Sequence, residues 1–228
     1  MKHIIQSSIL IVAAVSLMSC ASSTVQTKTS QAATTPQQAL KSLQDGNTRF
    51  AAGHSKNHNL VAQAEKTSTG QYPVAAVLGC IDSRASNELI FDQGIGDIFS
   101  ARVAGNVLND DLLGSLEFAT VKAGAKAIVV VGHTRCGAVG GACSHAKLGH
   151  VTGLLDRIQP AVRKVSATSK AAKNSPEFED EVAAENVRLV VSQIRAQSPL
   201  IKSLEREGKL VIAGGIYHLG TRKVEFLN

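Results

Sequence analysis

The sequence of 228 residues contains no tryptophan, two tyrosines and six phenylalanines. Its core must therefore be aliphatic, built from Ala, Val, Leu and Ile, as expected where strands are covered on both faces. Cysteine is also sparse: Cys20, Cys80, Cys136 and Cys143 are the whole set. Cys20 closes the N-terminal segment and leaves three for the remainder, an odd number that excludes a complete disulfide framework within one mature chain. In an oxidising compartment thiols survive best when something occupies them, and a metal is the obvious occupant. No internal repeat is present. The most apolar stretch, residues 4–18, is shorter than the about 20 residues that a membrane-spanning helix needs. The formal net charge is +6, but the basic residues are scattered and not gathered into a stripe with aromatic neighbours. No nucleic-acid footprint is written there.

What is present begins with Met1-Lys2-His3, the apolar residues 4–18 and Ser19-Cys20. That order of basic start, apolar middle and small-residue end is that of an export signal spanning residues 1–20. Leu17-Met18-Ser19-Cys20 resembles a bacterial lipobox, in which the cysteine becomes lipidated. An exported, periplasmic protein with a membrane tether through Cys20 is the expectation. Residues 21–35, rich in Ser, Thr, Gln and Ala, read as a flexible linker, because they carry little apolar surface to offset ordering. Residues 36–228 have the size of one domain. Thr35-Pro36 opens a helix that Gly53 closes. The short apolar runs 73–79 and 126–132 read as buried strands, with further strands at 98–104 and 210–216. Residues 223–227 suit a terminal edge strand. Helical spacing fills 109–123, Ser175-Pro176 opens a long helix, and Ser198-Pro199 opens another. Strands alternating with helices predict an α/β fold with a central, mostly parallel sheet flanked by helices.

Chemistry-bearing residues fall at two strand ends. Cys80-Ile81-Asp82-Ser83-Arg84 follows the first apolar run, and His133-Thr134-Arg135-Cys136-Gly137 follows the strongest one. Ligands of open α/β sheets bind beyond the carboxyl ends of the strands, so neighbouring strands would bring both clusters together. Two thiolates and an imidazole suit Zn²⁺. Asp82 can fill a fourth position or leave it to water, and Arg84 offers a planar fork that fits a carboxylate in bidentate fashion. Taken singly, each residue has an ordinary reading: a core cysteine, a hydrogen-bonded histidine, a surface ion pair. Their conjunction favours a metal site. Residue types alone leave open a catalytic zinc with an exchangeable position and a closed Cys₂HisAsp structural zinc.

CxDSR at 80–84 followed by HxxCG at 133–137 resembles the β-class carbonic anhydrases. The likeness runs from about Ala39 to Phe226 and takes in DGNxRF at 45–50, GDIFSARVAGN at 96–106 and SLEFA at 115–119. It implies Cys80, His133 and Cys136 as permanent ligands of one Zn²⁺ and Asp82 as an exchangeable ligand that pairs with Arg84. It also implies reversible hydration of carbon dioxide to bicarbonate and a proton. Gln93 falls one residue from the position where many members carry a substrate-contacting Gln. A homodimer or homotetramer is implied as well, since members place their pockets at subunit boundaries. Some members hold regulatory bicarbonate with Trp, Arg and Tyr; Arg102 and Tyr217 occupy matching places, but the missing tryptophan argues against that regulation. His145 and His150 are weak candidates for moving protons. The rival readings are hydrolysis of carbonyl sulfide or carbon disulfide on the same scaffold, and a non-catalytic, zinc-stapled binding module.

Overall fold

The computed structural model describes residues 24–227. The proposed signal, Cys20 and Asn228 lie outside these residues. The described chain opens with helices α1 (Lys28–Ala33), α2 (Pro36–Ala51) and α3 (Leu60–Thr67), then strand β1 (Ala75–Gly79), α4 (Asn87–Ile90) and β2 (Ile98–Arg102). α5 (Asp110–Glu117) leads to β3 (Ala127–His133), α6 (Gly137–Cys143), α7 (Gly149–Asp156) and α8 (Gln159–Thr168). The long α9 (Pro176–Gln197), α10 (Pro199–Arg206), β4 (Val211–Tyr217) and β5 (Val224–Leu227) complete it. One five-stranded sheet has the order β2-β1-β3-β4-β5. β1 to β4 are parallel and β5 is antiparallel to β4.

Alternation along the strands sorts the core into two layers. Ala75 and Val77 of β1 and Ala127, Val129 and Val131 of β3 face α2 and α4, meeting Ala39, Leu43, Ile90 and Phe91. Ala76 and Leu78, with Ile128 and Val130, face the other way onto α8 and α9, meeting Val162, Val187 and Ile194. Every residue of β1 and β3 is buried, which is why both read as unbroken apolar runs in the sequence. α9 approaches the sheet at two glycines. A Cβ added to Gly214 would stand 2.6 Å from Val187 Cγ1, and one at Gly132 2.9 Å from Val187 Cγ2.

The helix starts follow their sequence signals. Thr35 and Gln38 close a capping box ahead of Pro36, and the Ser175 and Ser198 hydroxyls accept from the amides of Phe178 and Ile201. Three expectations differ from the structure. Residues 21–35 are not all linker, because α1 is capped by Thr27 and Ser30. Its buried Gln31 donates to the Pro73 and Ala123 carbonyls at 2.8 and 2.9 Å. Composition misses this helix because two specific hydrogen bonds, not apolar surface, hold it down. The strand expected over 98–104 ends at Arg102, since Gly105 takes φ 66° and turns Ala104–Asn106 into a short 3₁₀ segment. The helix expected over 109–123 is α-helical only to Glu117 and continues as a π-helical turn, Phe118–Lys122.

Candidate metal centre

The order 2-1-3-4 reverses direction between β1 and β3, and that reversal point is where ligands bind in such sheets. β1 pairs with β3 through Leu78↔Val130. Cys80 leaves the end of β1, His133 is the last residue of β3, and Cys136 is the N-cap residue of α6. The ligand atoms of Cys80, His133 and Cys136 lie within 4.8 Å of one another, and all three residues are buried.

This donor set fits a metal ion on three counts. First, Cys80 Sγ and Cys136 Sγ stand 4.0 Å apart. That is about twice a disulfide bond length, and close to the ~3.8 Å expected of two thiolates on one tetrahedral zinc with Zn–S near 2.3 Å. Second, His133 Nδ1 lies 2.9 Å from the Thr134 carbonyl. A carbonyl only accepts, so Nδ1 carries the hydrogen and Nε2 presents its lone pair. Third, Nε2 is buried without a hydrogen-bond partner, the state of a ligand atom waiting for a cation.

Electrostatics favour one anionic sulfur of the two. Hydrogen bonding from Cys136 holds the Cys80 thiol well below the usual thiol range against the opposing effect of burial, with His133 and the backbone of Asp82 and Gly105 assisting. The Gly105 amide donates to Cys80 Sγ at 3.3 Å. Cys136, sharing its proton with Cys80 and buried as well, is pushed up. Burial works against the His133 imidazolium, but the Cys80 thiolate and the Thr134 carbonyl outweigh it and raise its pKa.

Asp82 and Arg84 stand at the rim. Arg84 Nε and Nη2 grip Asp82 Oδ1 and Oδ2 at 2.9 and 2.7 Å, and the Arg84 amide donates to Oδ1 at 2.9 Å. The guanidinium fork keeps the Asp82 carboxyl well below the usual carboxylate range despite partial burial. Asp82 Oδ2 is nevertheless only 3.8 Å from His133 Nε2, so a small swing would carry it into the cluster.

The family model for carbonic anhydrase matches residues 75–224. A carbonic anhydrase of Mycolicibacterium smegmatis is 35% identical over 199 residues, spanning 83% of this chain and 92% of that one. The chain belongs to the β-class carbonic anhydrases. Among solved structures, the β-carbonic anhydrase CcaA superposes with a TM-score of 0.68 at 26% identity, covering 84% of this chain and 94% of its own. Two tetrameric β-carbonic anhydrases of Sordaria macrospora share the fold, with a TM-score of 0.65 at 24% identity over 72% of this chain and 85% of that one.

Of the remaining candidates, Gln93, His145 and His150 are not members of the sulfur–imidazole cluster, whereas Tyr217 pairs with His133 in the β3–β4 ladder. The Gln93 amide donates to the Phe91 carbonyl at 2.7 Å. It lines a cleft of about 750 Å³ with Phe50, His58, Leu89 and Ile95, and Cys80, His133 and Cys136 are not part of that lining. His145 and His150 are exposed around the start of α7. Tyr217 is buried against Phe50, with ring centroids 6.5 Å apart. Cys143 is buried in α6, and burial raises its thiol to about 11, the behaviour of a packing residue. Sequence reasoning missed the backbone partners of the loops. Arg102 donates to the Cys80 and Asp82 carbonyls, and Asp180 accepts from the Arg135 amide at 3.0 Å.

Proposed function

We propose that the protein catalyses CO₂ + H₂O ⇌ HCO₃⁻ + H⁺, with one zinc ion held by Cys80, His133 and Cys136. The observation that carries this reading is the buried, unpartnered Nε2 of His133 beside two sulfurs 4.0 Å apart, with the nearby carboxylate of Asp82 held aside by Arg84. When bound, zinc acts as a Lewis acid that brings the pKa of water from near 16 to about 7. The protein's own residues do the rest. The thiolates and imidazole set the donor field, and the Thr134 carbonyl fixes the tautomer of His133. Asp82, kept anionic by Arg84, accepts a hydrogen bond from the attacking oxygen and orients it toward CO₂. By gripping Asp82, Arg84 would keep its carboxylate from serving as a further ligand to a bound zinc.

Gln93 is the candidate for contacting substrate, and because its cleft is not lined by Cys80, His133 or Cys136, this reading has it serve the site of a neighbouring subunit. Assembly as a homodimer or homotetramer accompanies this reading, and the exposed Leu60, Leu89 and Ile95 around the Gln93 cleft support it. Export, with a tether through a lipidated Cys20, rests on the order of residues 1–20. Zinc content and stopped-flow CO₂ hydration measured on one purified sample test the activity, with carbonyl sulfide and carbon disulfide assayed alongside. About one zinc per chain with fast CO₂ hydration is expected; stoichiometric zinc without rate enhancement would leave a zinc-stapled module instead.

A further inference from the structure

Arg102 is the last residue of β2 and sits opposite Gly79 in the parallel ladder. Beyond that point β1 leaves the sheet, and the carbonyls of its continuation have no strand to pair with. The guanidinium takes the strand's place at the Cys80 carbonyl and shares the Asp82 carbonyl with the Ala85 amide, which donates to it at 3.0 Å. Arg102 Nε donates to the Cys80 carbonyl at 2.8 Å and Nη2 to the Asp82 carbonyl at 2.7 Å. One rigid fork thus spans two carbonyls two residues apart, which point the same way only if residues 80–82 are extended.

An extended run has a second consequence. Side chains two apart share a face, so Cys80 and Asp82 both turn inward while Ile81 between them is 59% exposed. The inward face is that of the candidate metal centre, where Cys80 Sγ meets Cys136 Sγ and Asp82 Oδ2 comes within 3.8 Å of His133 Nε2. A turn or helix at 80–82 would instead send the two side chains in different directions.

We infer that Arg102 is a positioning residue whose guanidinium clamps the 80 and 82 carbonyls so that one ligand and the gating carboxylate face the same ion. Both of its engaged nitrogens are committed to this loop, which gives it a structural occupation different from binding an anion. The inference rests on the reading of Cys80, His133 and Cys136 as ligands.

The test uses the purified protein loaded with zinc. Arg102→Lys keeps the charge but loses the fork, because an ammonium is a single point donor on a different stem; Arg102→Gln keeps one donor group. In both, the rate of zinc loss to a chromogenic chelator should rise and turnover per bound zinc should fall, each by about 10- to 100-fold, the usual scale for groups that orient ligands. The zinc-loaded variants should keep the circular dichroism spectrum and the assembled mass of the unsubstituted protein, so that falling turnover per zinc is not a fold defect, while their unfolding temperature should drop only as far as the weaker hold on zinc accounts for. Combined with Asp82→Ala, which removes the carboxylate being positioned, Arg102→Lys should lower turnover less than it does alone. Zinc loss and turnover within about threefold of the unsubstituted protein would overturn the inference, as would a turnover loss equally large in the Asp82→Ala background. Failure of the underlying ligand reading looks different: the unsubstituted protein itself would then bind no zinc.

Discussion

The pairing of Asp82 with Arg84 offers the most direct test of the chemistry. Of the three polar contacts on the Asp82 carboxylate, two come from the guanidinium, at 2.9 and 2.7 Å, and the third from the Arg84 amide at 2.9 Å. Arg84→Ala removes the first two and leaves the third, since every residue at 84 except proline carries that amide. The loop therefore keeps its turn while Oδ2 loses its partner. Oδ2 starts only 3.8 Å from His133 Nε2, so a change of rotamer would bring it to the cluster. With zinc held there, the carboxylate would act as a further ligand and exclude water. Bound zinc should stay at the unsubstituted level while turnover falls by about 10²-fold, the scale of losing an electrostatic organiser. Arg84→Lys should recover little, because it cannot grip both oxygens. Zinc content by atomic absorption and initial rates of CO₂ hydration by stopped flow, on the same samples, separate the two quantities. Near-normal turnover in Arg84→Ala would refute this account of the gate, and parallel loss of zinc and turnover would show that Arg84 supports the site in some other way.

Cys80→Ser, His133→Ala and Cys136→Ser should each lose zinc and activity together, since metal affinity here is also folding free energy; Cys143→Ala should keep both, and titration with a zinc indicator reads the difference. Gly214→Ala should destabilise the fold by about 1–3 kcal/mol through overpacking, because its Cβ would meet Val187 Cγ1 at 2.6 Å; thermal unfolding measures this, and Val187→Ala in the same chain should recover part of the loss. Mass spectrometry of protein from its native host should find the mature chain starting at or shortly after Cys20, with a diacylglyceryl group on Cys20 if the tether exists; an intact Met1 would refute export. Light scattering should give a mass of two or four chains, and a monomer at micromolar concentration would refute the assembly.

The parts of the fold that build the site were the most legible in the sequence, for a physical reason. β1 and β3 are buried on both faces, so they appear as unbroken apolar runs, and the residues with reactive side chains begin where those runs stop. A strand end is thus marked twice, once by the loss of hydrophobicity and once by Cys80 or His133. The helices with clear caps, α2, α9 and α10, were legible because Thr35, Ser175 and Ser198 satisfy orphan amides locally. α6 was harder to read, since its sequence GAVGGAC has three glycines and little helical preference. It forms where Val139 and Ala142 pack into the core, and Gly140 and Gly141 let it lie close to Glu179 and Leu155.

What stayed hidden shares one property: the partners are backbone atoms far away in the chain. Gln31 holds α1 through the carbonyls of Pro73 and Ala123, and Arg102 reaches the carbonyls of Cys80 and Asp82. Asp180 reaches the amide of Arg135, a residue forced to φ 56°. A carbonyl or an amide is the same at every position, so such a bond leaves a signature at only one of its ends. Motifs therefore announce the side chains that meet a metal but not the side chains that hold the motif's own backbone. The latter fix where Cys80, Asp82 and Cys136 point, and the chemistry depends on those directions as much as on the donors themselves. A sequence that kept all five residues of CxDSR and of HxxCG but replaced Arg102 or Asp180 would still carry both motifs, with the backbone that aims them less firmly held.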